Sequence, residues 1–167
     1  MNSLNIAIVD DNADDLTALN GIFNEYAAVN GLEAEISLFN CAEELLENYR
    51  PLQYTVIFMD IYMKKMTGID AAKFIRSIDR DTLLVFLTSS IDHMHDAFSV
   101  HAYDYIQKPV KTEQIFRVLD DILNRRTESE VTRVDVGFTP HTPHGTVRAL
   151  LTHTALHFII VPVCKTN

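Results

Sequence analysis

Through residue 126, short apolar runs alternate with stretches whose apolar residues recur at helical spacing. Ala102–Ile106 is one such run, interrupted by Asp104, while Ile6–Val9, Val56–Met59 and Leu84–Leu87 are continuous rather than alternating. That is the pattern of strands buried on both faces of a sheet. They predict strands over Asn2–Val9, Tyr54–Met59, Thr82–Leu87 and Ala102–Ile106, the last being the most polar and so placed near an edge. Glu33–Phe39 alternates polar and apolar, which predicts a fifth strand with one wetter face.

Between the strands the spacing becomes helical. Asn12 or Asp14 caps a helix carrying Leu16, Leu19, Ile22, Phe23 and Tyr26, stopped by Asn30-Gly31. Asn40-Cys41-Ala42-Glu43 has the form of a capping box that opens a helix running to Tyr49, with Pro51 ending it. Further helices follow Thr67-Gly68 (Ile69, Phe74, Ile75, Ile78), Asp92 (Met94, Ala97, Phe98) and Lys111 (Ile115, Val118, Leu119, Ile122, Leu123). The last loses its apolar periodicity at Arg125-Arg126. Strands and helices in alternation predict an α/β domain over 1–126, with a five-stranded parallel sheet and helices on both faces.

Residues 127–167 read differently. Thr and His become frequent, and Val131–Phe138, Val147–Thr152 and Leu156–Val163 have strand character. The segment is short for a core of its own and reads as a linker or the remnant of a truncated effector. The net charge of −9 resides entirely in residues 1–126, while 127–167 is neutral. No segment is basic enough for a nucleic-acid footprint. Neither Cys41 nor Cys164 stands in a CxxC spacing. No apolar stretch is long enough to cross a bilayer, and the start lacks signal-peptide character, so the expected location is the cytoplasm.

The chemistry gathers where the apolar runs end. Asp10-Asp11, Asp60, Thr88-Ser89 and Lys108-Pro109 each follow a strand, and in a parallel sheet these ends share one edge. Converging carboxylates call for a cation. Magnesium prefers oxygen donors and is usually held by one or two carboxylates plus a substrate phosphate. Asp10, Asp11 and Asp60 are candidate ligands, with the backbone carbonyl of Tyr62 as a further oxygen. A carboxylate nucleophile gives an acyl phosphate. Lys108 and the Thr88 hydroxyl are placed to neutralise and bind the transferring group. Each feature alone is commonplace; their joint occurrence at successive strand ends is what points to phosphoryl transfer.

At these residues the chain resembles the response-regulator receiver domain of two-component signalling. The stretches that carry the likeness are IAIVDDNADD from Ile6, VIFMDIYMKKMTGIDAAKFIR from Val56, LLVFLTSS from Leu83 and AYDYIQKPVKTEQI from Ala102. The resemblance implies a flavodoxin-like doubly wound sheet of order 2-1-3-4-5 over about residues 3–125. It implies Asp60 as phosphoacceptor, magnesium on Asp10 and Asp11, Lys108 on the phosphate, and a cis peptide at Lys108–Pro109. Thr88 and Tyr105 are its switch residues, and Tyr62 and Ser90 would set the phosphoryl lifetime. The implied partner is a sensor histidine kinase. Phosphorylation would favour a homodimer through a face carrying Met94, Phe98, Val100, Tyr103 and Phe116. Such a protein catalyses only its own phosphorylation and dephosphorylation. The details are most similar to the LytR/AlgR group, with Lys64 where many receivers have Pro. That group carries a LytTR DNA-binding domain after the receiver. Residues 127–167 do not clearly match it, so DNA binding is expected only where an effector domain is present in the full-length protein.

Other functions fit less well. A dehalogenase-type phosphohydrolase needs a second Asp two residues after its nucleophile, where this chain has Tyr62. There is no GxGxxG or P-loop for a nucleotide. A receiver-like interaction module that is never phosphorylated would not need Asp10, Asp11, Asp60, Thr88 and Lys108 together. The pairs His141/His144 and His153/His157 have spacings zinc tolerates, but no carboxylate or cysteine cluster accompanies them.

Overall fold

The computed structural model describes residues 3–89, 97, 99–133, 150–152 and 155–157. Five strands form one parallel sheet: β1 (Ser3–Val9), β2 (Glu33–Phe39), β3 (Val56–Asp60), β4 (Leu83–Thr88) and β5 (Asp104–Gln107), in the order β2-β1-β3-β4-β5. The described helices are α1 (Ala13–Asn30), α2 (Ala42–Glu47), α3 (Gly68–Ile78) and α4 (Thr112–Arg133). The helix expected from Asp92 lies outside the described residues, apart from Ala97 and Ser99, which are helical.

The continuous apolar runs occupy the centre of the sheet because both of its faces are covered. One face sends Ala7, Val9, Ile57, Met59, Leu84 and Phe86 into a core shared with α2 and α3. On the other, the rings of Phe23 in α1 and Phe58 in β3 meet at 4.7 Å, and Tyr26 meets Phe116 of α4 edge-on at 5.0 Å. β2 is an outer strand, and its Glu33 and Glu35 are exposed.

Capping follows local chemistry. The Asn12 side chain accepts the Asp14 N–H at 3.0 Å and starts α1. Gly31 ends that helix at φ 61°, a left-handed conformation that only glycine adopts without strain. The Thr67 hydroxyl accepts the Asp70 N–H at 3.1 Å and starts α3. Thr67→Ala is expected to destabilise the protein by about 1 kcal/mol, read as a shifted midpoint in urea unfolding.

Three expectations are corrected. The N-cap of α2 is Cys41, which makes no side-chain capping bond, and it is Glu44, not Glu43, that reaches back to the Asn40 N–H at 3.1 Å. That helix stops at Glu47, because Tyr49 turns inward to bond the Asp79 carboxylate at 2.8 Å. The final helix runs past Arg126 to Arg133, so Val131 opens no strand. Loss of the apolar stripe does not by itself end a helix, and no glycine or proline stands between Arg126 and Arg133.

By compactness the chain divides into Met1–Val118 and Leu119–Asn167, with the boundary inside α4. In the second unit β6 (Leu150–Thr152) and β7 (Ala155–His157) pair antiparallel, with Leu151 opposite Leu156. His141, His144 and His153 lie outside the described residues. No helix among the described residues is long and apolar enough to cross a membrane.

At the amino end of β4, Asp79 is 3% exposed, yet its carboxylate is fully bonded. Oδ2 accepts from the Tyr49 hydroxyl (2.8 Å), the Leu52 N–H (2.8 Å) and the Thr82 hydroxyl (2.6 Å). Oδ1 accepts the N–H groups of Asp81 (2.9 Å) and Thr82 (3.0 Å). Burial pushes this carboxyl up, but the bonds from Thr82, Leu52 and Tyr49 outweigh it and hold the group well below the usual carboxylate range. Beside it, the Arg76 guanidinium donates to the carbonyls of Thr82 and Val100, each at 2.8 Å.

Candidate functional site

Register brings the strand ends together. Val9 pairs with Met59, Asp60 with Leu87, and Thr88 with Gln107, so the residues that follow line one edge. Asp10, Asp11 and Asp60 each offer an oxygen within 4.8 Å of the others. Asp10 and Thr88 are fully buried, Asp60 nearly so, and Asp11 is half-buried.

The two buried carboxylates are held alike. Asp10 Oδ1 accepts the N–H of Asn12 at 2.9 Å, and Asp60 Oδ1 accepts that of Tyr62 at 3.1 Å. Each is an Asx turn that fixes the plane of the carboxylate and turns its second oxygen into the pocket. Those second oxygens meet the Lys108 ammonium, at 2.7 Å from Asp10 and 3.0 Å from Asp60. The lysine is aimed from β5 by its own N–H, which donates to the Thr88 carbonyl at 2.7 Å, and the Lys108–Pro109 peptide is cis.

The electrostatics follow from this burial. Burial pushes the Asp10 carboxyl up, against the lowering bonds from Lys108 and the Asn12 N–H. Burial alone would lower the Lys108 ammonium, but its bonds to Asp10, Asp15 and Asp60 hold it above the usual lysine range. A pocket in which a buried carboxyl resists ionisation gains from a cation. All donors in the trio are carboxylate oxygens, the set that suits magnesium rather than a softer metal. Lys64, where many receivers carry Pro, places its ammonium 3.6 Å from Asp11 on the exposed rim.

Asp15 and Gly68 belong to the site although strand-end reasoning does not single them out. Asp15 Oδ2 accepts from the Lys108 ammonium at 2.9 Å. The signal was present: Asp15 lies in the first turn of the helix that opens directly after Asp10-Asp11. Gly68 packs against the end of β3, where a Cβ would collide with the Asp60 carbonyl oxygen and lie 3.0 Å from its carbon. Tyr105 is half-buried against the core. Of the expected output contacts, Val100 is core, 2% exposed, and Phe116 is half-buried against Tyr26. Met94, Phe98 and Ser90 lie outside the described residues. Beside Lys108 a cleft of about 410 Å³ opens between α1 and the loop after β5, lined by Asp15, Ala18, Leu19, Ile22, Lys108, Pro109 and Val110.

Residues 6–120 match the family model of the response regulator receiver domain. The chain belongs to this family. Receiver domains serve phosphorylation-based two-component signalling, typically bind magnesium in an acidic pocket and interact with histidine kinases; some dimerise on activation. Among curated relatives, the sensory transduction protein LytR of Staphylococcus haemolyticus is 28% identical over 122 residues, covering 73% of this chain and 46% of that protein. LytT of Enterococcus faecalis is 27% identical over 117 residues, covering 70% and 47%. The chain thus spans less than half the length of these relatives. The crystal structure of the response regulatory domain of mrkE from Klebsiella pneumoniae superposes with a TM-score of 0.64 at 24% identity, covering 75% of this chain and 99% of that one, which supports the receiver fold.

Proposed function

We propose that this receiver is a phosphorylation-dependent switch that takes a phosphoryl group from a sensor histidine kinase onto Asp60 with the help of magnesium. The observation that carries the reading is the meeting of Asp10, Asp60 and Lys108 at 2.7–3.0 Å, with Asp11 completing the acidic trio. Asp10, Asp11 and Asp60 would hold the metal, with the Tyr62 carbonyl as a further oxygen. When bound, magnesium supplies positive charge against the phosphoryl oxygens.

The chain's own residues do the rest. An Asp60 oxygen attacks phosphorus as the bond to the donor imidazole nitrogen breaks, and the electron pair leaves with the imidazole. The Tyr62 N–H keeps the Asp60 carboxylate in plane. Lys108 shifts its ammonium from Asp10 and Asp60 to the phosphoryl oxygens. The Thr88 hydroxyl is drawn to the same group, and Tyr105 responds to the space that opens. Residues 1–126 form the receiver, acting in the cytoplasm, and 127–167 serve as a linker or effector remnant. The output is a change of dimerisation, or of transcription where an effector domain is present.

Incubation with magnesium and acetyl phosphate, followed by intact mass, tests the reading. One added phosphoryl group is expected, and none in Asp60→Asn. Equal uptake by Asp60→Asn would overturn the assignment of the phosphoacceptor.

A further inference from the structure

Lys108 has three ammonium hydrogens, and the pocket offers three carboxylate oxygens, from Asp10 (2.7 Å), Asp15 (2.9 Å) and Asp60 (3.0 Å). Two of these partners belong to the acidic trio; Asp15 does not. On the function proposed above, Asp10 would help to hold the cation and Asp60 would carry the phosphoryl group, so neither would keep its bond to Lys108. The bond to Asp15 is the one that neither event consumes.

A lysine head on a four-carbon stem is mobile unless something holds it. The cleft beside Lys108, with Leu19, Ile22 and Val110 in its walls, leaves room for the chain to swing away from the phosphoryl group. Asp15 stands in the wall of the same cleft, and its bond to the ammonium limits how far the lysine can travel into it. It lies in the first turn of α1, whose start is pinned by the Asn12 cap, and a carboxylate there is favoured by the helix dipole. We propose that Asp15 is a positioning residue for phosphoryl transfer, holding the Lys108 ammonium over the pocket after its bonds to Asp10 and Asp60 are surrendered.

The test compares wild type, Asp15→Asn and Asp15→Ala at saturating magnesium, with phosphorylation by acetyl phosphate followed over a range of donor concentrations. Asp15→Ala is expected to lower the rate at saturating donor by about tenfold, while the half-saturating donor concentration moves by less than about threefold. Asp15→Asn keeps an amide oxygen for the ammonium and is expected to recover most of the rate. A second readout is the Lys108 ammonium signal in ¹⁵N NMR of beryllofluoride-loaded protein, slow to exchange in wild type and Asp15→Asn and lost in Asp15→Ala. Asp15→Ala at the wild-type rate or above would overturn the proposal, as would equal losses in the Asn and Ala variants. If wild type takes up no phosphoryl group, the proposed function falls and this role with it. If wild type is phosphorylated and Asp15→Ala is unaffected, only the role of Asp15 falls.

Discussion

Asp79→Ala is expected to destabilise the protein by about 3–5 kcal/mol, the range for breaking a buried charged network by removing one partner. Five donors converge on this carboxylate, from Tyr49, Leu52, Asp81 and twice from Thr82. Without it the buried Tyr49 and Thr82 lose an acceptor, and the Arg76 guanidinium loses its nearby negative charge. Thermal melting at pH 7 is the measurement, with a fall of about 10 °C expected for a chain of this size. The pH dependence identifies the cause. The folded-state pKa of Asp79 lies below its ordinary value of 3.8. A depressed carboxyl contributes stability that is complete above its unfolded pKa and is lost as pH falls toward the folded one. The gap between wild type and Asp79→Ala should therefore be constant from about pH 7 to pH 5 and narrow below about pH 4. A gap that stays the same at low pH would assign the loss to packing instead.

Gly68→Ala is expected to impair folding and chemistry together. The new methyl would collide with the Asp60 carbonyl oxygen, and its next neighbours are the Asp60 carbon at 3.0 Å and the Ile61 Cα at 3.1 Å. All three are main-chain atoms, so no rotamer change relieves the overlap. The end of β3 must move, or the start of α3 must. Overpacking of this kind costs about 1–3 kcal/mol, and the rigid backbone partner places this case at the upper end. A displacement of about 1 Å at Asp60 is enough to slow phosphoryl uptake by about a hundredfold. Urea unfolding and the acetyl phosphate assay measure the two effects on one preparation. A variant that is destabilised yet phosphorylated at the wild-type rate would show that α3 yields and β3 does not.

The sheet is legible because β1, β3 and β4 contain unbroken apolar runs and β2 an alternation, and because a parallel sheet carries the residues after its strands to one edge. Asp10, Asp60, Thr88 and Lys108 stand at or just past those strand ends, so the sequence alone brings them to that edge. Asp79 is not legible in this way, and the reason is physical. In Ile78-Asp79-Arg80-Asp81 it looks like any polar turn after a helix, and its partners Tyr49 and Leu52 lie 30 and 27 residues earlier. Gly68 was read only as the start of a helix, since the backbone it approaches is fixed by tertiary packing. The extent of α4 was underestimated because periodicity reports which face is buried, and a helix can continue where no face is.

The outer strand β2 has a consequence for behaviour at high concentration. Among the described residues no strand pairs with its outer side, and Glu33 and Glu35 are exposed there, so a second molecule laying its own β2 alongside would bring like charges together. Side-by-side growth into fibrils is discouraged at that rim, and crowding the chain there favours solubility over accretion.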